Sequence, residues 1–154
     1  MPGTSACVLR PAVAADAAQI AALYLQLTGN PAVKVLPERI SALHARDDVV
    51  LWVAELAGEV CATALQVICA DVMFGSQPFA LIENFVVAES LRGQGIGRRL
   101  LAAIERDCAA RQCSKIMLLS AQQRPAAHRF YERAGYAGDA KRGFVKYRRQ
   151  FTAS

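Results

Sequence analysis

The segment 81–101 constrains the fold more than any other part of the sequence. Its first half is apolar up to Val87 and predicts a buried strand, while its second half has helical periodicity and opens directly from a glycine-rich loop, Gly93–Gly97. Glycine lets the backbone approach a ligand without Cβ clashes, and the unpaired amides and dipole at a helix N-terminus favour negative charge. The junction therefore predicts a site for an anionic ligand that carries phosphate.

The remaining sequence alternates between strand and helix patterns. The predicted strands are Cys7–Arg10, Val49–Glu55, Val60–Cys69, Ala80–Val87, Lys115–Ser120 and Gly143–Arg148. The predicted helices follow Asp16, span Pro37–Ala45, extend from the glycine loop to about Gln112 and run from Pro125 to Arg133. Because a strand, a helix and a strand follow one another around the glycine loop, those two strands should be parallel. The expected fold class is α/β (α+β), a mixed, mostly antiparallel sheet flanked by helices on both faces.

Length and composition predict one domain, 1–154. A chain of 154 residues can build a single hydrophobic core, and no apolar run approaches the roughly 20 residues of a membrane span. The first five residues lack the charged start and apolar core of a signal peptide. The five cysteines include no C-x-x-C pair, which favours buried thiols over disulfides or zinc. We expect a cytoplasmic homodimer with no metal and no membrane partner.

Charge is distributed unevenly along the sequence. Residues 1–90 contain four Lys and Arg against nine Asp and Glu, a net charge of −5, whereas residues 91–154 contain 14 against four, a net charge of +10. Excess base from the glycine loop onward suits a polyanionic ligand, and the acidic first half suits a cationic one. Neither half contains a basic strand interleaved with aromatic residues, so no nucleic-acid partner is expected.

Two other phosphate-binding motifs begin in a similar way. A dinucleotide fold would need a third glycine where Arg98 stands, and several predicted strands already precede the loop. A P-loop would need Gly-Lys-Ser or Gly-Lys-Thr, which the loop lacks. The choice of ligand therefore depends on a combination of sequence blocks.

Two such blocks identify a family. Arg92–Gly97 (RGQGIG) resembles the pyrophosphate signature Gln/Arg-x-x-Gly-x-Gly/Ala of the GNAT family of N-acetyltransferases. Ala127–Tyr136 (AHRFYERAGY) resembles that family's Ala-x-x-Phe-Tyr-Glu-x-x-Gly-aromatic block. With the order of elements included, the resemblance covers nearly the whole chain. It implies the GNAT acyl-CoA N-acyltransferase fold and acetyl-CoA as co-substrate.

The resemblance also implies which residues bind the coenzyme. Amides of the glycine loop would cradle the pyrophosphate, Val87 would pair with the pantetheine arm as an added strand does, and the Phe85 amide would face the thioester carbonyl. Arg124 replaces an asparagine that binds pantetheine in many members, so either that contact is lost or the arginine meets a phosphate. The implied coenzyme-binding residues are Phe85, Val86, Val87, Arg92, Gly93, Gln94, Gly95, Ile96, Gly97, Arg98 and Arg124.

Glu83 and Tyr131 are the candidate catalytic residues. Glu83 is polar in a strand that should be buried, and it lies two residues before Phe85, so strand alternation predicts that both side chains share a face. A carboxylate there would accept the amine proton directly or through water, and the alternative is a structural carboxylate paired with an arginine. The resemblance implies that Tyr131 protonates the leaving thiolate. Its alternative is a tyrosine that fills the core edge.

Asn84 and His128 are the candidate acceptor-binding residues. Ile82–Asn84 resembles the Ile-Glu-Asp of glucosamine-phosphate acetyltransferases, in which the acids serve the acceptor, although Asn84 replaces the second acid. The segment around His128 resembles aminoalkylphosphonate acetyltransferases, and a surface or core-edge histidine is the alternative. His44 is expected either to line the acceptor entrance or to be structural.

The expected activity is transfer of an acetyl group from acetyl-CoA to a primary amine of a small molecule, by direct attack in a ternary complex. One alternative is acetylation of a lysine or N-terminus of a protein or peptide. Another is an acyl-CoA-binding module without turnover, which would tolerate loss of Glu83 and Tyr131. Both residues are present here, which favours an enzyme.

Overall fold

The computed structural model describes residues 6–151, which form two compact units divided after Leu118. The strands are β1 (Val8–Pro11), β2 (Val49–Leu56), β3 (Glu59–Cys69), β4 (Phe79–Val87) and β5 (Ile116–Leu118). The helices are α1 (Ala17–Thr28), α2 (Pro37–His44), α3 (Ile96–Ala110) and α4 (Pro125–Arg133), and short 3₁₀ turns occupy Ala14–Asp16, Glu89–Leu91 and Arg148–Gln150. The four predicted helices and the first five predicted strands are confirmed, with bounds that shift by at most two residues.

The first unit is built on a five-stranded sheet in the order β1-β2-β3-β4-β5. Neighbours from β1 to β4 pair antiparallel, and β4 pairs with β5 in parallel. In that parallel pair Ala80–Ile82 lies opposite Ile116–Leu118. The predicted parallel pairing across α3 and the mostly antiparallel sheet are therefore confirmed.

Helices cover both faces of this sheet. On one face, Leu51 of β2 lies in a buried cluster with Ile20 of α1 and Ile40 of α2. Gln66 of β3 is paired with the residue before Leu51, so it points to the opposite face, where it donates a hydrogen bond of 2.6 Å to Asp107 of α3. Helices α1 and α2 thus pack on one face, which we call the α1 face, and α3 packs on the other, the α3 face.

Helix α3 buries the stripe that its periodicity predicts. The residues of that stripe, each at most 4% exposed, are Ile96, Leu100, Ile104 and Cys108. Arg98, Arg99 and Arg106, which lie off the stripe, are exposed. Burial of four apolar side chains at a spacing of four residues is the main force that holds this helix on the sheet.

The second unit, described over residues 119–151, contains α4 and no strand. Pro125 occupies the first turn of α4, where its missing amide would have no partner, and Gly135 follows the helix with a φ of 94°. The predicted strand Gly143–Arg148 is wrong. Its consecutive apolar residues Phe144 and Val145 are exposed by 87% and 61%, and the unit offers no strand with which the segment could pair.

The five cysteines are free thiols. Cys61 and Cys108 are buried, as predicted, whereas Cys7, Cys69 and Cys113 are only half-buried. Among residues 6–151, no group of three or more His, Cys, Asp or Glu side chains is arranged to hold a metal ion. No helix within the same range has the length and apolar character that crossing a membrane requires.

Candidate active site

Strand β4 is paired on both sides over its first half only. Through Ile82 it lies between β3 and β5, whereas over Glu83–Val87 its ladder continues with β3 alone. The cause is the length of β5, which has three residues and ends opposite Ile82. Within residues 6–118, no strand pairs with the outer edge of Glu83–Val87.

A bulge interrupts β4 at Asn84. Glu83 lies opposite Leu65 and Val86 lies opposite Thr63, so β4 advances three residues where β3 advances two. Asn84 has a φ of 54°, a left-handed conformation that asparagine adopts more readily than most residues. An extra residue of this kind bends the strand and re-aims the side chains that follow it.

The bulge overturns the predicted alternation of side chains. Residues that are directly paired share a face, so Glu83 and Val86 lie with Leu65 and Thr63 on the α1 face. Phe85 precedes Val86 and therefore lies on the α3 face. The prediction that Glu83 and Phe85 share a face is wrong, because the extra residue between them shifts the alternation. Glu83 is exposed on the α1 face.

A residue of α1 holds the bulge. The hydroxyl of Tyr24 forms side-chain hydrogen bonds with Asn84 and Thr63. Burial raises the pKa of Tyr24, and the two hydrogen bonds oppose that rise. The bulge is thus connected to the first helix.

A second residue of α1 holds the turn after β4. Nε2 of Gln26 donates to the Val87 carbonyl and its Oε1 accepts from the Glu89 amide, both at 3.0 Å. From the other side, the Ala88 amide donates to the Cys61 carbonyl of β3 at 2.7 Å. The backbone that leads from β4 into the glycine loop is therefore fixed by both α1 and β3.

The glycine loop forms the N-terminus of α3. Gly93 and Gly95 have φ values of 78° and 80°, and a Cβ built on either would meet no protein atom within 4 Å. The backbone there is open to a ligand. No side chain caps the helix, so the first-turn amides are available, and Arg92 and Arg98 are exposed beside them. Open backbone, free amides and two cations fit a diphosphate.

Tyr131 and Arg124 lie in the second unit. Burial raises the pKa of Tyr131 to about 12, and the charge of Arg124, the residue before the first turn of α4, opposes that rise. The ring of Tyr131 meets the rings of Phe130 and Tyr136 edge to face, with centroid separations of 5.1 and 6.1 Å. At neutral pH Tyr131 is therefore a protonated phenol that can donate a proton.

His128 is anchored at the start of the same helix. Its Nε2 lies 2.8 Å from the Ala121 carbonyl oxygen. A carbonyl only accepts, so Nε2 donates a proton in this contact. This contact supports a structural role for His128 in the loop that leads into α4.

The predicted site residues thus fall into two sets. Those of β4 and the glycine loop follow one another in the first unit, and Arg124, His128 and Tyr131 share α4 in the second. Sequence reasoning missed the contacts of Tyr24 and Gln26. Tyr24 has the helical spacing of a core residue, and no motif marks Gln26, so neither carries a signal in a single sequence.

A cleft of about 140 Å³ lies away from these residues. It is bordered by α2, β1 and β2, with Ala12, Ile40 and His44 in its wall. Nδ1 of His44 is 3.2 Å from the Ala12 carbonyl oxygen. Since β1 and β2 are separated from β4 by β3, His44 is better explained as structural than as part of an acceptor entrance.

The model of the acetyltransferase (GNAT) family matches residues 18–136, from α1 through the second sequence block. The chain belongs to the GNAT family. It is therefore an acyltransferase, and the acetyl donor of its family is acetyl-CoA. Comparison with curated proteins gave no match.

Solved structures share the GNAT fold over nearly the full chain. A protein of Agrobacterium tumefaciens strain C58 described as an acetyltransferase is 29% identical, with 91% of this chain and 99% of that one covered and a TM-score of 0.82. The glucosamine-6-phosphate N-acetyltransferase of Arabidopsis thaliana is 23% identical, with 93% and 99% covered and a TM-score of 0.80. An aminoglycoside N-acetyltransferase in complex with CoA is 19% identical, with 96% and 99% covered and a TM-score of 0.80.

Proposed function

We propose that this protein transfers the acetyl group of acetyl-CoA to a primary amine of a small molecule, by direct attack while both substrates are bound, and that residues 1–154 act as one domain. One observation carries the proposal. The edge of β4 that lacks a strand partner in its unit, Glu83–Val87, leads within a few residues into an open helix N-terminus. An extended pantetheine arm suits such an edge, and a diphosphate suits the helix end.

Backbone amides and arginine side chains of this chain would bind acetyl-CoA, the acetyl donor. The amides of Gln94, Gly95, Gly97 and Arg98 would receive the diphosphate, with positive charge added by Arg92 and Arg98, and Arg124 is our further candidate for contact with a phosphate. The backbone of Phe85 and Val87 would bind the pantetheine. The coenzyme brings the acetyl group already activated as a thioester, so the protein needs only to orient it and to move protons.

We assign the two proton transfers to Glu83 and Tyr131. The acceptor ammonium must lose a proton before its nitrogen can attack, and the exposed carboxylate of Glu83 would take that proton directly or through water. The departing thiolate needs a proton, and Tyr131 holds one because burial raises its pKa to about 12. The Phe85 amide is assigned to the developing oxyanion.

A cationic small-molecule amine is the acceptor class we favour. Residues 1–90, which carry the α1 face, have a net charge of −5, and Glu83 and Asn84 are exposed polar residues of β4. Structural neighbours include an aminoglycoside N-acetyltransferase and a glucosamine-6-phosphate N-acetyltransferase, and the acceptor in both names is a small-molecule amine. Asn84 and His128 remain our candidates for contact with the acceptor.

A peptide acceptor is the second candidate, favoured by the loop between β3 and β4. Val72, Met73 and Phe74 are exposed there by 90%, 73% and 67%, which is an unusual run of apolar surface. An open apolar surface suits a peptide better than it suits a small cation.

The cytoplasmic location and the homodimer expected from the sequence stay predictions, which cell fractionation and analytical ultracentrifugation would check.

A panel of amines tests the proposal. Purified protein is mixed with acetyl-CoA and with aminoglycosides, amino-sugar phosphates, polyamines or lysine peptides, and released thiol and acetylated product are both measured. We expect turnover with at least one small amine. Turnover with peptides alone would favour the second candidate, and CoA binding without thiol release from any amine would leave an acyl-CoA-binding module.

Tyr131→Phe tests the general acid. Without the hydroxyl the thiolate leaves unassisted, so we expect kcat to fall about 10- to 100-fold, at the lower end of general acid catalysis. The matched control is Tyr147→Phe, at a tyrosine that is 58% exposed. Equal turnover in the two variants would remove the assignment of Tyr131.

A further inference from the structure

Helix α1 contacts the second half of β4 through two side chains that the proposed chemistry does not use. Tyr24 hydrogen-bonds with Asn84 in the bulge, and Gln26 bridges the Val87 carbonyl and the Glu89 amide in the turn. The first contact lies beside Glu83. The second lies where β4 leads into the glycine loop.

We propose that Tyr24 and Gln26 are positioning residues, the first for the general base and the second for the coenzyme site. Tyr24 holds Asn84, the bulge residue that directly follows Glu83, and so fixes the backbone that carries the general base. Gln26 keeps the turn in the conformation that aligns the outer edge of β4 with the glycine loop. This inference rests on the proposed acetyl transfer.

The two bonds of Gln26 define one orientation of its amide. Val87 presents a carbonyl, which needs a donor, and Glu89 presents an amide, which needs an acceptor, so a flipped side chain would lose both bonds. Gln26 is exposed, so core packing does not explain its position. Its side chain joins two backbone groups that lie on either side of Ala88, and it therefore fixes the path of the turn.

Gln26 also determines which backbone group of Val87 we assign to a ligand. The Ala88 amide points to β3, where it donates to the Cys61 carbonyl, so the backbone groups of Val87 point away from β3 toward the outer edge. The carbonyl among them is already bonded to Gln26. The amide of Val87 is thus the group that we assign to the pantetheine arm.

Tyr24 holds a backbone conformation that carries strain. Asn84 is in the left-handed region with a φ of 54°, and its side chain is bonded to a hydroxyl on a different element. Thr63, the other partner of Tyr24, is fully buried and is itself fixed by its bond to Trp52. The bulge is therefore tied to the buried part of β3 through the Tyr24 hydroxyl.

Gln26→Met tests the coenzyme half of the inference, because methionine keeps the length of the side chain and lacks both hydrogen bonds. We expect the Kd for CoA, measured by isothermal titration calorimetry, to rise about five- to tenfold. At saturating acetyl-CoA, kcat should change less than about twofold. The control is Gln77→Met, since Gln77 is an exposed glutamine before the opposite end of β4 and donates a hydrogen bond of 3.1 Å to the Gln112 carbonyl. A wild-type Kd in Gln26→Met would overturn the assignment.

Tyr24→Phe tests the other half and should give the opposite pattern. We expect kcat to fall about tenfold while the Kd for CoA stays within twofold of wild type, with Tyr147→Phe as control. Hydrogen exchange of the β4 peptide provides a readout that needs no turnover. The amides of residues 83–86 should exchange about tenfold faster in Tyr24→Phe, and an unchanged rate would overturn this half of the inference.

The two kinds of failure can be told apart. If wild-type protein binds CoA but acetylates no amine, the proposed function fails, while the Kd of Gln26→Met and the exchange rates of Tyr24→Phe still decide the positioning roles. If wild-type protein turns over and both variants match it in kcat, Kd and exchange, only the positioning roles fail. A parallel loss of kcat and CoA affinity in both variants would indicate general destabilisation and would also contradict the inference.

Discussion

The first half of β4, Phe79–Ile82, and its second half, Glu83–Val87, belong to one strand but have different neighbours. The first half lies between β3 and β5 and buries Ile82 to 2% exposure. The second half contains the bulge, continues the ladder with β3 alone and carries two exposed polar side chains. Pairing on both sides stabilises the first half, whereas the second half has no outer neighbour in its unit and leaves room there for a ligand. Mutations in the two halves should therefore have separable effects.

Glu83→Gln should give the largest effect on activity. Glutamine has the same shape but cannot take the proton of the amine, so we expect turnover to fall about 100- to 10,000-fold, the range of general base catalysis. The melting temperature should not change, because Glu83 is exposed. Steady-state kinetics and thermal melts check both statements.

The matched control is Glu59→Gln, an exposed glutamate at the start of β3. It should keep full turnover. If Glu83→Gln also keeps turnover and an unchanged pH profile, the second half of β4 does not hold the general base, and the contrast between the two halves loses its catalytic part.

Ile82→Ala should give the largest effect on stability. The side chain is buried on the half of β4 that is paired on both sides, and its truncation should lower the free energy of unfolding by about 2–5 kcal/mol. The Kd for CoA of the folded fraction should stay close to wild type. Urea denaturation and calorimetry check the pair of effects, and Val72→Ala, at a side chain 90% exposed, is the control. Loss of CoA affinity without loss of stability would contradict the division of β4.

The sequence could predict the parts of this fold that depend on local pattern. Helix α3 was predicted from the spacing of Ile96, Leu100 and the residues that follow them, and its open N-terminus from the glycines before it. Both predictions succeed because a helix and its first turn are determined by neighbouring residues. The bulge at Asn84 was not predicted, because strand alternation assumes that each residue of one strand pairs with one residue of its neighbour. The contact of Gln26 with Val87 spans 61 residues and leaves no periodic trace. The strand predicted near the C-terminus failed for a similar reason, since alternation cannot supply a pairing partner.

Asp16 is an acidic residue whose role is structural, unlike the role that we propose for Glu83. Its carboxylate, 8% exposed, binds both terminal nitrogens of Arg10 at 2.8 and 2.9 Å and accepts from the Val13 amide at 2.8 Å. The Arg10 guanidinium lowers the pKa of Asp16 from its ordinary value of 3.8. Glu83, in contrast, has no ion pair among those found in residues 6–151.

Asp16→Asn should therefore reduce stability and leave turnover intact. We expect the free energy of unfolding to fall by about 2 kcal/mol at pH 6, which lies between the losses typical of exposed and of buried ion pairs. Because folding lowers the pKa of Asp16, its stabilisation is complete above pH 3.8 and is lost as the pH falls through the lower, folded value. The free energies of unfolding of wild type and variant should converge as the pH falls below that folded value. Asp48→Asn, in a surface pair with Arg46, is the control and should show no measurable convergence.

Gly95→Ala should give the smallest effect. Paired with Gly58→Ala, it compares two glycine turns, as the variants above compare the two halves of β4. Gly95 has a φ of 80° before α3, and Gly58 has a φ of 84° in the turn between β2 and β3. Alanine at either position meets no atom within 4 Å, so the strain is conformational and amounts to about 1 kcal/mol. Gly95→Ala should raise the Kd for CoA about fivefold, because the amides that we assign to the diphosphate must shift. Gly58→Ala should lower the unfolding free energy by a similar amount and leave that Kd unchanged. If both variants lose stability equally and neither loses CoA affinity, the open helix N-terminus is a structural turn like the hairpin and does not hold the coenzyme.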